Sequence, residues 1–316
     1  MIGTRVDVRR LATKWNRACV ALAAGVMAAC GPQASEPPAA TAVAWAPPSD
    51  TEIPDGPLGG AIRRGRALMV DTHDSLPDYA PSTLNCTSCH LDGGRQANAA
   101  PLTGVYARFP AYLSRAGAVV SLEDRVNYCF TRSLSGYRLP SDSREMQDMI
   151  AYLAFLSLGA PTGAPAQSPG VEAIPVRQPD PAAGETVYGT LCAACHGVDG
   201  AGGVVPRAPA LWGPRSYSIG ASMSRVERAA AFIRHNMPLN APGTLTDQQA
   251  WDVAAYINGQ ARPDMPGKAD DWPNGDAPED VPYPTAGRPG TVTPPLLPRA
   301  TPERAMVPPP PSVRSR

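Results

Sequence analysis

Apolar residues recur every three or four positions in two stretches of the chain. Met146, Met149, Ile150, Leu153 and Leu156 follow Ser141-Asp142-Ser143, and Trp251, Ala254, Ala255 and Ile257 follow Thr246-Asp247. That period predicts an amphipathic helix behind a short polar cap in each case. Further upstream, Gly65-Arg-Ala-Leu-Met-Val and Gly184-Glu-Thr-Val-Tyr-Gly-Thr-Leu each read as a helix opening at a glycine. Pro101-Leu102-Thr-Gly104 and Pro209-Ala-Leu211-Trp-Gly213 come after them. One unit is thus written twice: helix, loop, proline–leucine–glycine element, closing helix. No β-rich stretch accompanies either copy.

Ala18 to Ala29 is apolar or small without that period, and Arg5, Arg9, Arg10, Lys14 and Arg17 precede it against the single acid Asp7. A basic segment, a short apolar run and small residues read as an export signal over residues 1–29. Cys30, directly after Ala28-Ala29, resembles the bacterial lipobox, with Met27 where leucine is usual. A periplasmic protein anchored to the membrane through a lipidated Cys30 is expected, ordinary cleavage being the alternative. Arg9-Arg10 suggests twin-arginine export, but Leu-Ala-Thr follows it poorly. Proline is the compositional outlier, at 38 of 316 residues. It belongs in linkers, because helix interiors tolerate it badly. Residues 30–52 therefore read as a tether, 161–180 as a linker and 266–316 as a proline-rich strap and tail.

Charge removes some functions. Lys+Arg and Asp+Glu are 28 each, so nothing favours a nucleic-acid partner. Without residues 1–29, 23 basic and 27 acidic residues remain, a mildly acidic protein. Lys14 and Lys268 are the only lysines, which leaves almost nothing for Schiff-base or phosphate-loop chemistry.

Cysteine carries the chemistry. Cys19 leaves with the signal, and four others form Cys86-Thr-Ser-Cys89-His90 and Cys192-Ala-Ala-Cys195-His196. C-x-x-C-H is the attachment motif of c-type haem. Cysteines three apart on one helical turn reach the two vinyl groups, and the next histidine becomes the proximal iron ligand. Zinc would need further ligands from a chain with four histidines, and a thioredoxin-like pair would need a neighbouring strand. The fold class expected is all-α: two tandem cytochrome c-like domains, residues 53–160 and 181–265, each enclosing a covalent haem.

The sixth iron ligand separates carrier from enzyme. In the second domain, Met237 before Pro238 has the cytochrome c pattern of a thioether ligand, and His235 competes with it. The first domain has no Met-Pro. Met146 and Met149 are explained by core packing, and His73, in Asp71-Thr-His-Asp74, by a solvated loop. Cys129 is left, in Arg125-Val-Asn-Tyr-Cys129-Phe-Thr-Arg-Ser133-Leu-Ser-Gly136. It is either a small core residue or a thiolate ligand to iron.

At these residues the chain resembles the periplasmic dihaem thiosulfate dehydrogenases, the tetrathionate-forming cytochromes c. The resemblance spans most of residues 55–285, including Ala277-Pro and Pro282-Tyr-Pro-Thr. It implies a His90/Cys129-ligated catalytic haem and a His196/Met237-ligated haem for electron exit. Its active-site element, an arginine, a cysteine and a serine at four-residue intervals, falls on Arg125, Cys129 and Ser133. A second substrate-binding arginine falls on Arg115. Two departures stand out: Ser135-Gly136 replaces the usual Asn-Gly, and Asn236 replaces the lysine that exchanges as a ligand in some members.

The chemistry agrees with the resemblance. Joining two thiosulfates brings four negative charges together, and arginine binds such oxyanions through paired N–H donors. Arginines on a helix otherwise commonly face solvent. The function expected is oxidation of two thiosulfates to tetrathionate at the cysteine-ligated haem, the same site permitting the reverse. Electrons would pass through the second haem to a soluble cytochrome c or a high-potential iron–sulfur protein. The rivals are a non-catalytic dihaem electron shuttle and the haem subunit of a multi-protein sulfur-oxidation complex.

Overall fold

The computed structural model of the protein describes residues 45–163 and 170–290. The stretch read as an export signal, Cys30 and the part of the expected tail beyond residue 290 lie outside the described residues. Among the described residues no helix is long and apolar enough to cross a membrane. The longer elements in chain order are α1 (Gly56–Val70), strands β1 (Ala111–Leu113) and β2 (Ala118–Val120), α2 (Leu122–Tyr128), α3 (Arg144–Phe155), α4 (Pro181–Leu191), α5 (Val226–Asn236) and α6 (Asp247–Asn258).

Each half is built on one helix crossing, α1 over α3 and α4 over α6. The repeated glycines mark those crossings. A Cβ on Gly65 would lie 1.9 Å from the Asp148 carbonyl oxygen, and one on Gly184 would lie 2.1 Å from that of Asp252. Only hydrogen fits where two backbones touch. The expectation that a glycine opens the helix is therefore corrected for α1, which begins behind Asp55 with Pro57 in its first turn and carries Gly65 well inside. Arg64 reinforces the crossing with a bidentate pair to buried Asp148, at 2.7 and 2.8 Å. The closing helices start as their caps suggest: Ser143 accepts from Met146 N–H, and Thr246 forms a capping box with Gln249.

The helical fold carries one small addition, the antiparallel β1–β2 hairpin. Val119 and Val120 suit a strand, and Gly117, at φ +61°, closes the turn. Arg115 sits in this turn rather than on a helix.

The halves share their interior. Tyr217 and Ala221 pack into the same cluster as Leu84, Met146 and Leu153. Thr83 Oγ1 accepts from the Ala210 N–H at 2.7 Å. His73, expected in a solvated loop, instead lies in a short helix (Thr72–Ser75), between the Ala80 carbonyl and the Arg215 guanidinium. At the near end of the stretch read as a tether, Trp45 Nε1 donates to the Leu158 carbonyl at 2.7 Å. After α6, residues 264–288 cross back over both halves, and Met265, Trp272, Val281 and Tyr283 are buried against Ile219.

Replacing Gly65 by alanine must push α1 off α3. Loss of about 1–3 kcal/mol or more is expected, read as a lower thermal midpoint of the holoprotein. Gly189→Ala in α4, where an added Cβ meets nothing within 4 Å, is the control and should be neutral or stabilising.

Candidate active site and haem-attachment sites

A cavity of about 400 Å³ lies within the first half. Cys86, Cys89 and His90 form one part of its lining, and Met69, Leu84, Leu102, Phe109 and Leu153 give it an apolar surface. Cys86 begins a 3-10 turn capped by Asn85, and His90 follows that turn. The His90 Nδ1 lies 2.5 Å from the Ala100 carbonyl oxygen. A carbonyl only accepts, so Nδ1 carries the proton and Nε2 is left as the ligating nitrogen. Burial pushes the Cys86 and Cys89 thiols up to about 12, which suits thiols held for thioether formation rather than ionisation. The donor set and the apolar enclosure fit haem c. Among the described residues no cluster of three or more His, Cys, Asp or Glu is placed to hold a metal ion, and all five described cysteines are free.

Cys129 lines the same cavity and interacts with the His90 ring. Burial alone would raise its pKa. The Arg125 charge and a hydrogen bond with His90 outweigh burial and bring it down to about 6. Arg125 Nη1 is 3.2 Å from the Cys129 Sγ, the two residues being one helical turn apart. The same cavity thus pushes the Cys86 and Cys89 thiols up and brings the Cys129 thiol down.

Local folding sets that difference. Helix α2, capped by Ser121, passes into a single π-helical turn over Cys129–Ser133, where the Leu134 N–H reaches back to the Cys129 carbonyl at 2.9 Å. Such wider turns occur often at functional sites. Fully buried Asn127 fixes the turn from below through paired bonds with the Leu139 backbone, at 2.7 and 3.0 Å. Ser133 ends the turn and lines the cavity beside Arg125. Ser135 adopts φ +52°, and its hydroxyl donates to the Ser216 carbonyl at 2.7 Å.

Arg125, Cys129 and Ser133 come together, while Arg115 stands to one side. Its guanidinium lies over the Trp272 ring at 4.2 Å and donates to the Gly220 carbonyl at 2.7 Å. It is still close enough to feel repulsion from Arg125 and Arg132. Arg108 is a lining residue that sequence reasoning missed. Its Nε is buried with no hydrogen-bond partner, a standing donor in the cavity wall. Nothing in the spacing around Tyr106-Ala-Arg108-Phe-Pro marks it.

In the second half, Cys192, Cys195 and His196 end α4 and form the following short helix. His196 Nδ1 bonds the Pro209 carbonyl at 2.9 Å, repeating the first site's tautomer. Burial lowers the His196 pKa, with the Pro209 bond opposing, so the ring stays in its neutral, ligating form. Met237 follows the last residue of α5 and packs at the edge of a cluster containing Ala99 and Phe232. Ile233, one turn earlier, packs on the cluster that includes Cys192 and Leu211. His235 is engaged elsewhere, with Nε2 at 3.1 Å from the Glu172 carbonyl. Asn236 is buried and fully used: it accepts from Gln96 at 2.8 Å and donates to the Asn98 and Phe232 carbonyls. The residue before Met237 is therefore tied to the loop that follows His90.

Two haem-attachment sites in one helical chain define a dihaem c-type cytochrome. The family model described as "SoxA/TsdA, cytochrome c domain" matches residues 79–162, and the one described as "Cytochrome c" matches residues 181–261. A protein named thiosulfate dehydrogenase from Allochromatium vinosum is 43% identical over 268 residues, covering 82% of this chain and 97% of its own. Its namesake from Stutzerimonas stutzeri is 42% identical over 229 residues, 70% of this chain and 73% of its own. The solved structure of thiosulfate dehydrogenase (TsdBA) from Marichromatium purpuratum, "as isolated" form, aligns with TM-score 0.66 at 36% identity. The alignment covers 78% of this chain and 58% of that longer one. The chain belongs to the thiosulfate dehydrogenase family of dihaem cytochromes c.

Asn236→Leu would leave the Gln96 amide and the Asn98 carbonyl unpaired in the interior. A loss of roughly 2–3 kcal/mol is expected from denaturant melts of the holoprotein. The midpoint potentials of the two haems should shift with it.

Proposed function

We propose that this protein oxidises two thiosulfate ions to tetrathionate beside His90 and Cys129, and that the second half passes the electrons to an external acceptor. The observation that carries the reading is the Cys129 sulfur, 3.2 Å from the Arg125 guanidinium in the cavity that His90 and Ser133 also line. His90 and Cys129 would hold the iron of the first haem, and His196 and Met237 that of the second. Bound at the two motifs, haem supplies one-electron acceptors, one in each half, matching the two electrons that each tetrathionate releases.

The side chains have separate tasks. Arg125, with Arg115 nearby, offsets the charge of the incoming dianion, and Ser133 adds a hydrogen bond to a sulfonate oxygen. The Cys129 sulfur forms an S–S bond to the terminal sulfur of the first thiosulfate, releasing two electrons and leaving a Cys–S–S–SO3⁻ adduct. The second thiosulfate attacks the middle sulfur of that adduct. Tetrathionate departs and the Cys129 thiolate returns, as in thiol–disulfide exchange. Every step is reversible in principle, so the direction follows the acceptor's potential. A soluble cytochrome c or a high-potential iron–sulfur protein fits as acceptor, with the protein held in the periplasm through lipid on Cys30.

The test is tetrathionate formed from thiosulfate with ferricyanide, using purified holoprotein beside Cys129→Ala. The variant should keep both haems and lose turnover by about 10³-fold or more. Arg125→Gln should raise KM for thiosulfate roughly tenfold, the scale of one charge-assisted contact. If fully haem-loaded wild type forms no tetrathionate, the electron-shuttle reading takes its place.

A further inference from the structure

We infer that the segment after α6 belongs to the oxyanion-binding machinery, with Trp272 as the positioning residue of Arg115. This inference deepens the thiosulfate reading above and rests on it for the identity of the anion.

Three guanidiniums, those of Arg115, Arg125 and Arg132, lie within electrostatic reach of one another. Asp271 pairs with Arg132 at 2.5 Å, both being largely buried, and Tyr283 Oη donates to the other Asp271 oxygen at 2.7 Å. Arg132 also stacks over Tyr128, at 4.4 Å, and its carbonyl accepts from Ser218. Arg132 is thereby paired with Asp271 and held against the π-helical turn. Among the described residues no carboxylate pairs with Arg115 or Arg125. Arg125 has only the Cys129 sulfur at 3.2 Å, and Arg115 makes no ion pair of its own, because Asp271, the acid that reaches it electrostatically, is taken by Arg132; an incoming anion would meet two guanidiniums that no carboxylate binds.

Arg115 would not hold its place unaided. It sits in a hairpin turn, where burial works against its charge and the repulsion of Arg132 and Arg125 opposes the attraction of Asp271. Trp272 holds it twice: the ring lies under the guanidinium at 4.2 Å, and the Trp272 N–H donates to the Arg115 carbonyl at 2.8 Å. Trp272 itself is buried in a left-handed backbone conformation, φ +52°. Pro273 packs under Gly117 of the same turn, where an added Cβ would meet its ring at 2.5 Å. Asn274 Nδ2 bonds the Tyr112 hydroxyl at 3.0 Å. Four consecutive residues, 271–274, thus grip the π-helical turn and the hairpin together.

The experiment compares wild-type holoprotein with Trp272→Leu, Trp272→Phe, Arg115→Ala and the Arg115→Ala/Trp272→Leu double variant. Thiosulfate kinetics and calorimetric titration with the non-reacting dianion sulfate are both read. Trp272→Leu should raise KM about tenfold with kcat within about threefold, and Trp272→Phe should recover most of that loss. The double variant should be no worse than Arg115→Ala alone, because both changes remove one device. Additive losses, or a lower melting temperature with KM and sulfate affinity unchanged, would overturn the inference. If wild type does not oxidise thiosulfate, the functional reading fails on its own. The sulfate titration then decides this one: affinity lost in Leu and regained in Phe supports it, and no difference or no binding overturns it.

Discussion

A thiolate in an apolar cavity needs a cation beside it, and the 3.2 Å contact between Arg125 and Cys129 supplies one. Much of the first half serves that contact. Cysteine and arginine lie one turn apart on α2 and its π-helical extension, so the pairing comes from helix geometry rather than chain folding. Asn127 holds the turn from the core side and Ser218 from the second half. Arg132 has Asp271 as its own partner, and Arg125 is the guanidinium bonded to the sulfur. Cys86 and Cys89, equally buried but without Arg125 and His90 acting on them, are pushed up to about 12.

The parts legible in the sequence were those in which chemistry is encoded by near neighbours. C-x-x-C-H names its own cofactor, the closing helices show their period, and Arg125, Cys129 and Ser133 share one helical repeat. Gly65 and Gly184 were visible as a repeat but misread. A glycine forced by another backbone looks, in one dimension, like one that starts a helix. Trp272 and Asp271 were invisible because their partners, Arg115 and Arg132, lie more than a hundred residues away. Arg108 was missed for a related reason: a single arginine in a loop has no period, and only burial of its Nε sets it apart.

The two cytochrome halves are less independent than their repeat suggests. Tyr217 and Ala221 fill the first core, Thr83 satisfies a backbone donor beside the second attachment site, and Asn236 ties the Met237 end of α5 to the loop after His90. Buried hydrogen bonds of this kind resist relative movement of the halves, because opening them strands polar groups without water. Electrons passed between the halves, as proposed above, would cross a fixed separation rather than depend on docking and release.

The segment over residues 271–274 also sets an order of assembly. A chain is made from its N-terminus, and domains generally fold as they emerge. The first half reaches its attachment motif early, yet Arg115 and Arg132 have no partners from the segment until nearly the whole polypeptide exists. The first half also waits for Tyr217 and Ala221 to fill its core, so a chain that stops before residue 271 leaves Arg115 without its ring and Arg132 without its carboxylate.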